Sequence, residues 1–139
     1  MAHRWITMPQ IIKVWLWLSL TLVVGAATAQ SFEVTMTAYS STVDQTNSQP
    51  FITATNQRVR MGIIAASRDL LATELPHGTR VRVVYIHDDP RACGGWDPGM
   101  VLEVQDTMNR RKRNTIDLWL PSRREARLWG RCRVVLEVV

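Results

Sequence analysis

The chain is poor in cysteine, and that limits its chemistry first. Two cysteines in 139 residues are too few for a disulfide-dense miniprotein or a cysteine-built zinc module, which needs about four ligands. No GxGxxG and no GxxxxGK[ST] is present, so neither common route to nucleotide binding has support. His77, His87 and Cys93 have no metal-ligand spacing, and no metal or other cofactor is expected. No repeat or linker divides the chain. A 46% hydrophobic content with 17 basic and 12 acidic residues excludes a disordered chain.

The longest apolar run is Val14 to Ala27, shorter than the roughly 18–20 residues of a spanning helix. Arg4 and Lys13 precede it, and Ala27-Thr28-Ala29 follows as a small-x-small site. Residues 1–29 therefore read as a secretory signal peptide cleaved after Ala29, with an uncleaved signal anchor as the alternative. No cysteine follows the run, so a lipoprotein anchor has no support. The expected location is the periplasm or cell envelope, with peripheral or outer-membrane association compatible. The two cysteines of an exported chain, Cys93 and Cys132, are expected to pair.

Residues 30–139 read as one mainly β domain. Alternation over Ser31–Ala38, Arg80–Ile86 and Cys132–Val139, with apolar runs at Met61–Ala66, Met100–Val104 and Thr115–Leu120, gives about six strands. A helical turn is expected over Ser67–Leu75. A capping box at Ser122–Glu125 starts a short helix that Gly130 ends. Many short strands and one or two short helices suggest a small barrel.

Charge is uneven. Residues 107–133 hold nine basic and two acidic groups, whereas residues 30–106 are net negative. Arg110-Arg111-Lys112-Arg113 is either a solvated loop or an anion-facing rim. Nucleic acid is not an expected partner, because the run lacks interleaved aromatics and the chain is exported.

Asp106 and Asp117 stand at the two ends of this basic loop. Ile116 and Leu118 flank Asp117. If they face the core, Asp117 faces a groove, where apolar walls raise a carboxyl pKa and equip it to donate a proton. The plainer reading of both aspartates is as turn caps. Trp119 lies on the same strand face as Asp117 and is either core or a sugar-stacking platform.

Four segments, in order, resemble the three-aspartate (3D) domain. They are Thr37-Ala38-Tyr39-Ser40, then Gly62–Ala66 ahead of Pro76-His77-Gly78-Thr79-Arg80-Val81, then Asp106-Thr107 with Ile116–Trp119, and Ala126 with Trp129-Gly130. The segment Gln45 to Ala54 also resembles bacterial members. That family is similar to the catalytic domain of MltA-type lytic transglycosylases and to resuscitation-promoting-factor-like proteins. The resemblance implies a double-psi β-barrel that binds and cleaves peptidoglycan glycan strands. It implies Asp117 as acid/base, Asp106 as its orienter or charge stabiliser, and Asp69 as a third carboxylate. Tyr39, Thr107, Asn109, Arg110 and Trp119 would contact substrate. Two departures stand out. The family's glycine-rich stretch between two aspartates is here Met108–Asn114, without glycine. The family's third aspartate aligns with Ser67, two residues before Asp69. A non-catalytic peptidoglycan-binding module and an expansin-like wall-loosening role on the same barrel remain alternatives.

Overall fold

The computed structural model describes residues 29–42, 48–87, 93, 94, 97 and 99–139. The expected leader up to Thr28, Gln45 and Thr46, Asp88 and Asp89, Gly95 and Trp96 lie outside the described residues. Among the described residues no helix is long and apolar enough to cross a membrane.

Six strands form in chain order: β1 (Ser31–Tyr39), β2 (Ile63–Ala66), β3 (Arg80–Ile86), β4 (Val101–Thr107), β5 (Thr115–Trp119) and β6 (Cys132–Val138). They close into a barrel in the order β1-β5-β2-β4-β3-β6. The pairings β1·β5 and β2·β4 are parallel, and the other four are antiparallel. The expected small six-stranded double-psi barrel is therefore the architecture observed. Closure leaves none of these six strands at a sheet edge. Alternate residues of each strand point inward: Val34 and Met36, Ile64 and Ala66, Val81 and Val83, Leu102 and Val104, Ile116 and Leu118, Val134 and Leu136 all lie in one buried cluster. Period-two patterning put these side chains on the inner face.

Helix α1 (Arg68–Leu71) is a single turn, shorter than the expected stretch to Leu75. Its Ser67 hydroxyl is used elsewhere, accepting from the Thr115 N–H at 3.1 Å. Helix α2 (Arg123–Trp129) begins where the capping box placed it. The Ser122 hydroxyl accepts from the Glu125 N–H at 3.2 Å. The Glu125 carboxylate returns to that hydroxyl at 2.7 Å, not to the Ser122 backbone as the motif suggested. Gly130 ends α2 at φ 76°, a conformation that favours glycine. Cys93 and Cys132 form the expected disulfide, with Cα atoms 6.2 Å apart.

Candidate active site

The site is assembled by strand register. In the neighbouring strands β1, β5, β2 and β4, Thr37 pairs with Asp117, Asp117 with Ala65, and Ala65 with Asp106. These four residues lie side by side across the barrel wall, on the face opposite the core. Ala65 puts the smallest available side chain between two carboxylates. The space above it is a cavity of about 400 Å³, lined among others by Tyr39, Ile52, Ala65, Asp106, Asn109 and Asp117.

Asp106 reaches this face through an irregularity. Strict alternation would turn it inward with Leu102 and Val104. The β2·β4 register shifts between Ile64 and Ala65, so that Ile64 pairs with Val104 but Ala65 pairs with Asp106. Gln105 is the extra residue, and a bulge of this kind re-aims the side chains after it. Thr55 anchors the bulge, its N–H and hydroxyl both donating to the Gln105 carbonyl, at 3.3 and 3.1 Å.

The two carboxylates have different surroundings. Asp106 accepts three hydrogen bonds, from the Tyr39 hydroxyl, the Ala54 N–H and the Thr107 N–H, each at 2.9 Å. Three of its roughly four acceptor positions are taken by the protein. Asp117 accepts one, from the Thr37 hydroxyl to Oδ1 at 2.8 Å. Among the described residues no hydrogen bond holds its Oδ2. Burial pushes the Asp117 carboxyl up to about 6, with the nearby Asp106 charge adding to the rise. The Thr37 hydroxyl and the Lys112 charge act the other way and limit it. Burial also raises the Tyr39 phenol far above its usual value, and the Asp106 and Asp117 charges reinforce this. Tyr39 therefore stays a hydrogen-bond donor to Asp106 across the ordinary pH range.

The other expected site residues are distributed around this centre. Thr107 and Asn109 line the cavity beside Asp106. Trp119 packs on the Tyr39, Ala65 and Met108 cluster, and its indole N–H donates to Ser41 Oγ at 2.9 Å. Arg110 is exposed in the loop and its carbonyl accepts from the Arg113 guanidinium at 3.1 Å. Asp69 is not among the cavity-lining residues. Its Oδ2 accepts the Asn114 N–H at 2.8 Å, securing the end of the basic loop. Burial acts upward on the Asp69 carboxyl as the largest single influence. Hydrogen bonding from Ser67 and from backbone N–H groups, Asn114's included, together outweighs it and lowers the pKa.

Several contributors carried no sequence signal of their own. Thr37 and Ala65 were legible only as parts of motifs, and Lys112 only as one charge of four. His77, dismissed as a ligand, meets Thr107 Oγ1 through Nε2 at 3.1 Å, at the cavity edge. Among the described residues no cluster of His, Cys, Asp and Glu suits a metal ion.

No protein-family model matches the sequence, and no curated protein matches it either. Solved structures with a related shape exist. The apo expansin of Clavibacter michiganensis aligns with a TM-score of 0.47 at 19% identity, covering 79% of this chain and 50% of that one. A variant of the same expansin, in complex with cellohexaose, aligns at 0.44 and 20% identity over the same shares. MltA from E. coli aligns at 0.46 and 17% identity, covering 67% of this chain and 28% of that one. The present chain thus spans half or less of each of these proteins, and the barrel described above rests on its own strand pairings.

Proposed function

We propose that the chain is an exported enzyme that cleaves peptidoglycan glycan strands as a lytic transglycosylase, with Asp117 as acid and base. The observation that carries this reading is the asymmetry of the two carboxylates. One is locked by three donors, and the other is half-buried, lines the cavity, has a raised pKa and accepts a single hydrogen bond. A carboxyl with a pKa of about 6 is partly protonated near neutral pH and returns readily to the carboxylate, as a group used in both directions must.

In the proposed reaction, protonated Asp117 gives its proton to the glycosidic oxygen as the bond to the anomeric carbon breaks. The departing chain leaves with a new hydroxyl. The Asp106 carboxylate supports the positive charge developing on the sugar ring. The Asp117 carboxylate then takes the proton of the same sugar's 6-hydroxyl, whose oxygen closes on the anomeric carbon to give a 1,6-anhydro end. Asp117 ends protonated, ready for another turnover, and no water is consumed.

Digestion of purified sacculi by the mature protein tests this. Soluble anhydromuropeptides should appear with the unaltered protein and vanish with Asp117→Asn. Full release by that variant would remove Asp117 from the mechanism. The exposed cations of the glycine-free loop favour a second reading, a peptidoglycan-binding module without turnover. Co-sedimentation with sacculi and no soluble product from the unaltered protein would establish that reading instead.

A further inference from the structure

The basic loop is shaped by its own contacts. The Asn109 side chain accepts the Arg111 N–H at 3.0 Å, and its carbonyl accepts the Lys112 N–H at 2.9 Å. At the far end the Asn114 N–H is held by Asp69 at 2.8 Å. The Asn114 side chain donates to the Glu33 carbonyl at 3.1 Å, and its carbonyl accepts the Thr35 N–H at 2.9 Å. Asn114 also supplies a left-handed φ of 43°, which asparagine tolerates better than most residues, so the turn closes without glycine.

The result is that one loop cation, Lys112, lines the cavity that holds Asp106 and Asp117. It acts on Asp117 through space. Yet among the described residues no ion pair within 4.0 Å ties it, or Arg110, Arg111 or Arg113, to any carboxylate. An exposed lysine that borders an acidic cavity without pairing there retains its charge for another anion. A neutral polysaccharide has no use for it. A glycan bearing a carboxylate close to the scissile bond does.

We infer that Lys112 is the specificity residue of the cavity and selects acidic glycan by receiving a carboxylate on the substituent of a bound sugar. This rests on the reading of the cavity as a glycan site. The carboxylate has two sources in peptidoglycan, the peptide stem or the sugar's own lactyl group once the stem is removed. Lysine suits either, because its ammonium is a point charge without the fixed fork of arginine.

Binding separates this inference from turnover. Affinities of Asp117→Asn protein, with Lys112 intact or replaced in Lys112→Gln or Lys112→Arg, are measured on intact sacculi, amidase-stripped glycan strands and a neutral chitin hexasaccharide. Loss of one charged contact should weaken binding of Lys112→Gln to an acidic glycan about tenfold. Chitin binding should not change, and Lys112→Arg should retain most of the affinity. An effect confined to intact sacculi assigns the stem carboxylate; one confined to stripped strands assigns the lactyl group. An equal loss on all three ligands, or none, overturns the inference. If Lys112→Gln does not fold, Lys112→Ala, which removes the charge with a smaller side chain at this exposed position, is measured on the same three ligands and must meet the same criteria. Failure to release anhydro products from sacculi overturns the proposed enzyme and leaves this selectivity standing. Cleavage without Lys112-dependent selectivity does the reverse.

Discussion

Asp117 shows how one side chain couples chemistry to stability. Its folded pKa is raised by burial to about 6, from an ordinary value of 3.8. Between those two values the folded chain binds more protons at this site than the unfolded chain does, so its contribution to stability falls as pH rises through that window. The cost is absent below the ordinary value and complete above about 6. Two pKa units correspond to on the order of 2–3 kcal/mol. Asp117→Asn should therefore unfold at higher urea than the unaltered protein at pH 8, and at nearly the same urea at pH 3.5. Equal midpoints at both pH values would show that the carboxylate is not penalised in the fold. Activity should respond in the same direction, because the acid form is required. Its alkaline limb should lie near pH 6 and move upward in Thr37→Val, which removes the hydroxyl that favours the carboxylate form. An alkaline limb unmoved by Thr37→Val would separate it from Asp117.

Ala65 matters for what it lacks. It is 4% exposed and lies in register between the two cavity carboxylates. In Ala65→Leu the added atoms would occupy the cavity floor. We expect anhydromuropeptide release to fall by two orders of magnitude or more, as misplacing a reacting group by about 1 Å can cost 10²-fold. The side chain would grow outward into the cavity, away from the barrel core, so the far-ultraviolet circular dichroism spectrum should be retained. A variant of normal activity would place the sugar elsewhere.

At the scale of elements, the strands were legible where a side chain's fate depends on period two alone. Ile116 and Leu118 turn inward and Asp117 turns outward, as their alternation required. From alternation alone Asp106 was legible only as a strand-end residue; its place in the site came from the resemblance. Its orientation depends on the Gln105 bulge, and an extra residue changes which face follows without altering local composition. The loop from Asn109 to Asn114 was legible as charge only. Its Asn114 end is held by the Asp69 and Glu33 contacts, which are distant in sequence. The start of α2 was legible because its signal is local. Ser122→Ala removes a partner from both the Glu125 N–H and the Glu125 carboxylate. It should cost about 1 kcal/mol in urea unfolding, the usual loss for such a cap. A change below a few tenths would mean that α2 is held by Ala126 and Trp129, its buried residues, alone.

For the whole molecule, the barrel and the disulfide share the work of stability unevenly. Cys132 opens β6 opposite Met36 of β1, so the Cys93–Cys132 bond ties a distant segment to a strand pair already held by backbone hydrogen bonds. The bond spans a sequence separation of 39 residues. Chain-entropy arguments assign a loop of that size roughly 3–4 kcal/mol, acting mostly on the unfolded chain, against the roughly 5–15 kcal/mol of a whole domain. The cavity is built differently. Its floor and carboxylates belong to β1, β2, β4 and β5, and neither cysteine lines it. Reduction should therefore lower the urea midpoint strongly and leave turnover at low temperature, without urea, nearly unchanged. The paired measurement is unfolding and sacculus digestion of one preparation, with and without reductant. Unfolding curves that coincide would show that the bond adds nothing to stability. Turnover lost while the reduced chain is still folded would show that the Cys93 segment holds the site in shape, in conflict with a cavity whose floor and carboxylates are set by the four strands.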